Sequence, residues 1–270
     1  MRKFDVRTIE CAALNGQDVV FDLDGTLISG DIGETLFYHT LITQSNAPLS
    51  ESTENYENLN KAFILPKRNF DIFTDYQAAI RAHSYRKAYL LTAEWLRQFP
   101  RHDLELLIQK FLEKPRTENT VYLSIATDGG IREIEISYGI AIRPDMLTLV
   151  RHFHSCQAKL WIVSASPQMV CEIVAEQIGI PNTQVLGAGT GEEEQIPWGI
   201  TKATLLREAG VDEPLAVFGN GEGDLEMLAA AKFPVVVMDG SKEMLAIAEA
   251  CDWWVCGLPL NFKTGPTRLD

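Results

Sequence analysis

The chain has 270 residues, with 37 Asp+Glu against 24 Lys+Arg and a formal net charge of −13. This acidic excess argues against a basic nucleic-acid footprint and against docking on an anionic membrane. Its 46% apolar and 23% charged residues exclude a disordered, collagen-like or disulfide-framework chain. The length predicts one large domain or two unequal ones. No apolar run approaches the roughly 20 residues of a membrane span. The opening MRKFDVRTIECAALNG has no continuous hydrophobic stretch, so no signal peptide is expected. The cysteines Cys11, Cys156, Cys171, Cys251 and Cys256 include no CxxC pair. Their odd number predicts free thiols in a reducing compartment, hence a cytoplasmic protein, rather than disulfides or a zinc site.

In chain order, the first strand signal is DVVFDL, residues 18–23, an apolar run ending in carboxylates. Residues 31–142 then break the pattern. They are mostly helical, as in residues 70–99, and end in an alternating stretch around Asp128-Gly129-Gly130 that predicts a β-hairpin near 121–138. Strand signals resume with KLWIVSA (159–165), PLAVFGN (214–220) and FPVVVMD (233–239). Short, nearly continuous apolar runs suit strands buried on both faces of a parallel sheet. Helical segments separate them. Ser166, Thr201 and Ser241 are candidate N-caps, and Gly179 and Gly210 are candidate stops. The alternation predicts a doubly wound parallel-sheet α/β core (1–30 and 143–270) with a mainly helical insert (31–142). Ligands in such sheets bind beyond the carboxyl ends of the strands. Asp22, Asp24, Ser164 and the Gly219 loop are therefore expected to converge.

The strongest local signal is Asp22-Leu23-Asp24-Gly25-Thr26. Two carboxylates leaving a buried strand are costly unless a cation or a shared proton compensates. A hard divalent cation with oxygen ligands, Mg²⁺, answers that need. The plainer alternative is a loop whose aspartates bond the turn backbone. Further on stand Ser164 in WIVSASPQ, Lys202 in GITKATLL, and Gly219-Asn220-Gly221-Glu222-Gly223-Asp224. A lysine in a first helical turn is poorly placed unless an anion lies near, because the helix N-terminus is already positive.

Together these four separated motifs resemble the haloacid-dehalogenase superfamily of phosphohydrolases, in its phosphoserine-phosphatase-like branch. The resemblance covers roughly residues 17–30 and 140–250. It implies a Rossmann-like core with an inserted helical cap. It implies that Asp22 attacks phosphorus to form an aspartyl phosphate and that Asp24 is the general acid/base. It further implies phosphate contacts from Thr26, Ser164, Ala165 and Lys202, and Mg²⁺ held by Asp22, Asp24, Asn220 and Asp224. Asn220 departs from the family pattern, which has Asp there.

The expected function is a Mg²⁺-dependent phosphatase acting on a small phosphomonoester, for example phosphoserine, phosphocholine or phosphoethanolamine. A phosphotransferase or phosphomutase on the same site is one alternative. A non-catalytic phospho-ligand-binding protein is another, supported by Asn220 alone. Asp31 and Glu34 are candidates for gripping a substrate ammonium, and equally a helix-opening capping pair. The aromatics Phe37, Tyr38, Tyr85, Tyr89 and Trp95 suggest either a cation cage or the insert's own core. Gly187, Gly189 and Gly191 read as an ordinary loop, and Trp253 and Trp254 as packing residues.

Overall fold

A computed structural model of the chain describes residues 2–5, 7–43, 62–63, 67–113, 120–127, 130–137, 139–238 and 241–257. The chain opens with β1 (Arg2–Lys3), α1 (Cys11–Leu14) and β2 (Asp18–Phe21). It returns to the same sheet only at β8 (Lys159–Pro167), after α6 (Pro144–Ser155). Between them lie β3 (Ile28–Ser29), α2 (Ile32–Thr43), β4 (Ala62–Phe63), α3 (Lys67–Arg81), α4 (Tyr85–Leu96) and α5 (Arg101–Glu113). The hairpin β5 (Thr120–Thr127) and β6 (Gly130–Ser137) follows, then β7 (Ala141–Ile142). After β8 the order is α7 (Gln168–Ile178), β9 (Val185–Ala188), α8 (Ile200–Glu208) and β10 (Ala216–Gly219). The last elements are α9 (Leu225–Ala229), β11 (Phe233–Val237), α10 (Lys242–Ala250) and β12 (Trp254–Cys256).

Seven strands form one parallel sheet in the order β1-β12-β11-β10-β2-β8-β9. The four runs read from the sequence are β2, β8, β10 and β11. Alternation along β2 shows why they are apolar throughout. Val19 and Phe21 join one core cluster and Val20 joins the other, so both faces are covered. Phe21 stacks on Phe218 of β10 with ring centroids 4.8 Å apart. Because β2 lies between β10 and β8, the chain segments leaving all three strands emerge side by side.

The described residues of 31–142 are mainly helical, with the predicted antiparallel hairpin; Asp128 and Gly129 lie outside the described residues. The run 70–99 is not one helix. It breaks between α3 and α4, where His83 takes φ 55°. α2 is buried from Ile32 to Ile42, and Trp95 of α4 donates its indole N–H to Thr40 at 2.8 Å.

The structure corrects the reading of the cysteines and of two helix caps. Cys11 and Cys156 form a disulfide across a sequence separation of 145, joining α1 to the end of α6. Only the fold brings them together, so no local spacing announced the pair. Cys171, Cys251 and Cys256 remain free thiols. The cytoplasmic expectation loses its ground in free thiols; among the described residues no helix is long and apolar enough to cross a membrane. Ser166 does not cap α7, because β8 runs on to Pro167 and the Ser166 hydroxyl donates to Asp24 at 2.7 Å. Thr201 does not cap α8, since its hydroxyl donates to the Glu194 carbonyl at 3.2 Å. Ser241 does cap α10, accepting from the Met244 N–H. Trp254 packs against Phe4 and Phe233, as a packing residue should.

Candidate active site

Beyond the carboxyl ends of β2, β8 and β10 lies a cavity of about 310 Å³. Asp22, Asp24, Ser164, Ala165, Lys202, Asn220 and Asp224 all line it. So do Asp31, Tyr85 and Tyr89 from the insert. Thr26 and Glu34 are not among the lining residues.

Each side chain has a local reason for its place. Asp22 directly follows β2, and its N–H donates to the Phe218 carbonyl of β10 at 2.9 Å. The chain turns at Gly25, φ +72°, a left-handed conformation that favours glycine. A Cβ there would stand 2.1 Å from the Asn220 amide nitrogen, so Gly25 also admits Asn220. Thr26 donates its hydroxyl to the Asn220 side-chain oxygen at 3.0 Å. It thus ties the first motif to the fourth and does not line the cavity. Arg143, fully buried, donates to the Gly25 carbonyl at 3.3 Å and to the Met238 carbonyl at 3.3 Å. Arg143 was missed in the sequence; a lone Arg-Pro pair before a helix gives no signal of burial.

Lys202, in the first turn of α8, donates to Asp22 and to Asp224, each at 2.6 Å. All three side chains are buried. The nearby anions expected for this lysine are these two carboxylates. The other Asp224 oxygen accepts from the N–H groups of Asn220 and Gly221, both at 3.0 Å, which orients the carboxylate. Asp24 accepts from the Ile32 N–H at 2.8 Å, from Ser164 at 3.2 Å and from Ser166 at 2.7 Å. Ser166 is a second missed residue. Its position just before a proline suggested a cap, yet the strand continues through it.

Asp31 and Glu34 do form a capping pair at the start of α2, with the Glu34 N–H donating to Asp31 at 2.7 Å. Their side chains have further partners in the insert. Tyr89 donates to Asp31 at 3.3 Å and Tyr76 donates to Glu34 at 3.1 Å. Phe37, Tyr38 and Trp95 are buried in the core, whereas Tyr85 and Tyr89 line the cavity. The cage and core readings therefore divide between the two groups. Trp198 of the core, which the sequence reading left out, joins the two tyrosines at the cavity wall.

The electrostatics are uneven. Withdrawal from water, reinforced by the neighbouring Asp224 charge, pushes the Asp22 carboxyl up, against the pull of Lys202. Withdrawal from water and the Asp31 charge raise Asp24 to about 7. The same desolvation, with Glu34 beside it, raises Asp31 to about 7. Burial raises Glu34 to about 7 against hydrogen bonds from Tyr38 and Tyr76. Burial opposes the Lys202 charge, but the Asp22 and Asp224 carboxylates outweigh it and hold its pKa above the ordinary lysine range. Several carboxylates thus share one buried ammonium, an arrangement that calls for further positive charge.

The donor set is all oxygen, which fits a hard cation such as Mg²⁺. Asn220 brings an oxygen without a charge, and its side-chain oxygen already accepts from Thr26. Among the described residues no group of three or more His, Cys, Asp or Glu is arranged as a metal site; Asp22 and Asp224 each face Lys202 instead.

A parallel sheet with carboxylates and a lysine gathered beyond its central strands defines a doubly wound α/β protein with its site at the strand ends. A family model of haloacid dehalogenase-like hydrolases matches residues 19–229, and the chain belongs to that family. Among solved structures, a conserved protein of unknown function from Anaerococcus prevotii is similar at 16% identity and TM-score 0.58, covering 90% of this chain and 84% of that one. A protein of unknown function from Bordetella pertussis is similar at 15% identity and TM-score 0.54, covering 90% and 99%. A phosphoserine phosphohydrolase-like protein from Francisella tularensis is similar at 12% identity and TM-score 0.48, covering 88% and 94%. The first two likenesses concern the fold. No curated protein sequence matches the chain.

Proposed function

We propose that the chain is a phosphatase that hydrolyses a small phosphomonoester through an aspartyl phosphate on Asp22. The observation that carries this reading is the buried Asp22–Lys202–Asp224 bridge beside Asp24, in a cavity also lined by Ser164. Family membership supports hydrolysis as the reaction class.

In this reading an Asp22 oxygen attacks phosphorus and the ester P–O bond breaks. The leaving oxygen takes the proton carried by Asp24, whose pKa near 7 suits proton transfer at neutral pH. The Asp24 carboxylate then takes a proton from water, the water oxygen attacks phosphorus, and the bond to Asp22 breaks. Two displacements replace one harder step. Lys202 offsets charge on the nucleophile and on the phosphoryl group. In this reading Ser164 and the backbone at Ala165 hold phosphoryl oxygens. Asp22, Asp24, Asn220 and Asp224 would hold Mg²⁺, which when bound supplies positive charge against the repulsion between carboxylate and phosphate dianion.

The segment 31–142 acts as a cap domain on a core of 1–30 and 143–270, enclosing the substrate and limiting water. Asp31 at the cavity wall, with Glu34 behind it, favours a leaving group bearing an ammonium, such as an amino-acid or amino-alcohol phosphate. A cavity of about 310 Å³ lies at the small end of ligand pockets, which suits a substrate of that size.

The test is phosphate release from phosphoserine, phosphocholine, phosphoethanolamine and a chromogenic phosphate ester, with and without Mg²⁺. Release from at least one amino-substituted ester, dependent on Mg²⁺ and lost in Asp22→Asn, is expected. Full activity in Asp22→Asn would overturn the mechanism.

A further inference from the structure

Trp198 belongs to no motif, yet it touches both halves of the site. Its ring lies 5.1 Å from Tyr85 and 5.8 Å from Tyr89, tilted by 34° and 32°. The two tyrosines stand one turn apart on α4, so they present one face to the indole. The same indole packs on Gly223, within the loop from Asn220 to Asp224. A Cβ at Gly223 would come within 2.7 Å of the ring, so only glycine lets the indole settle there.

The backbone repeats the connection. Arg86 of α4 donates to the Trp198 carbonyl at 2.9 Å and to the Glu194 carbonyl at 3.3 Å. The Gly199 N–H donates to the Gly223 carbonyl at 2.9 Å. Gly199 takes φ +61° and stands at the N-terminal end of α8, and the Lys202 N–H donates back to its carbonyl at 3.0 Å. A run of contacts therefore leads from Tyr85, Arg86 and Tyr89 through the Trp198-Gly199 turn. It ends on Lys202 along the chain and, through Gly223, beside Asp224 in the loop after β10.

We propose that Trp198 is a positioning residue that couples the seating of α4 to the placement of Lys202 and Asp224. With the tyrosines stacked and Arg86 engaged, the indole presses on Gly223 and the turn at Gly199 is fixed. Lys202 and Asp224 are then held in register with Asp22. Withdrawing α4 frees the indole, and both groups lose that support. The role rests on the phosphatase reading of the site, but the contacts do not.

The test alters the cap side and reads the core side. Tyr85→Ala, Tyr89→Ala and Arg86→Gln are made in the full chain at partly exposed positions of α4. Hydrogen exchange is followed by mass spectrometry over peptides covering 219–225 and 198–204. Exchange in both is expected to rise in each variant, most in the Tyr85→Ala/Tyr89→Ala double variant. With the chromogenic ester, Trp198→Ala and the double variant are expected to lose kcat by about 10- to 100-fold, with KM changed by less than about threefold. Trp198→Phe should restore most of the rate, because a ring again bridges the tyrosines and Gly223. Unchanged exchange over 219–225 in all three α4 variants would overturn the proposal. So would Trp198→Ala raising KM with kcat intact, which would make Trp198 a ligand contact. If the unaltered protein released no phosphate, the phosphatase reading would fail, and the exchange data alone would decide the coupling.

Discussion

The two walls of the cavity handle buried charge in different ways. On the core wall, Asp22 and Asp224 face a lysine, and the second Asp224 oxygen accepts two backbone N–H groups. On the insert side, Asp31 and Glu34 receive tyrosine hydroxyls. A phenol donates a hydrogen bond but no charge. The core wall thus sets a fixed ammonium against its carboxyls, and in the proposed reading that charge serves chemistry at phosphorus. The insert side holds carboxyls raised to about 7, as Asp24 is, and in the proposed reading the substrate's ammonium is the charge that meets them. Catalysis and selectivity are consequently expected to separate by wall.

Removing the lysine attacks the core wall directly. Lys202→Met leaves Asp22 and Asp224 without their ammonium, and phosphate release is expected to fall by roughly 10²- to 10³-fold for every ester. Steady-state rates on amino-substituted and chromogenic esters check this. A loss confined to the amino esters would erase the distinction between the walls.

On the insert side the effect should be smaller and selective. Asp31→Asn, which changes the carboxyl at the cavity wall, is expected to raise KM for amino-substituted esters by about tenfold, the size of one hydrogen bond to a charged group, and to leave the chromogenic ester nearly unchanged. Equal changes for both would return Asp31 to a purely structural role in opening α2.

A third difference concerns stability rather than rate. His39 on α2 is buried, and burial together with the Lys110 charge lowers its pKa to about 3. Below about pH 6.5 the unfolded chain binds a proton at His39 that the folded chain refuses, so stability falls on acidification. The loss amounts to about 2 kcal/mol at pH 5. The buried carboxyls with raised pKa values act in the opposite sense, gaining stability as pH falls. They are common to both proteins, so the difference between wild type and His39→Gln isolates the histidine. Denaturant titrations at pH 7.5 and pH 5 should show His39→Gln losing less than the wild type over that interval. An identical loss in both proteins would contradict the assignment.

Legibility in the sequence followed the range of the interactions. The strands β2, β8, β10 and β11 were readable because burial on both faces leaves an uninterrupted apolar run. Asp22, Asp24, Ser164, Lys202 and Asp224 were readable because each sits next to a strand or helix end, and parallel order then gathers such ends. β12 carries only three residues, and β9, as long as β2, is a half-buried edge strand interrupted by Gly187, so neither stands out as an apolar run. Cys11–Cys156, Arg143 on the Gly25 carbonyl and Trp198 on Gly223 are contacts between distant segments, and no local pattern encodes them. Ser166 was misassigned because Ser-Pro before a helical run looks like a cap, whereas its hydroxyl is drawn to the Asp24 carboxylate. Gly223 gives no sign in the sequence of its requirement, which is close approach by the Trp198 indole.

The central claim is that Asp22 carries the phosphoryl group. A turnover mixture with substrate and Mg²⁺, quenched in acid, reduced with borohydride and mapped by mass spectrometry, tests it most directly. A reduced side chain at position 22 is expected, absent without substrate and absent in Asp22→Asn. Sustained phosphate release with Asp22 never modified, or with the label on another residue, would contradict it.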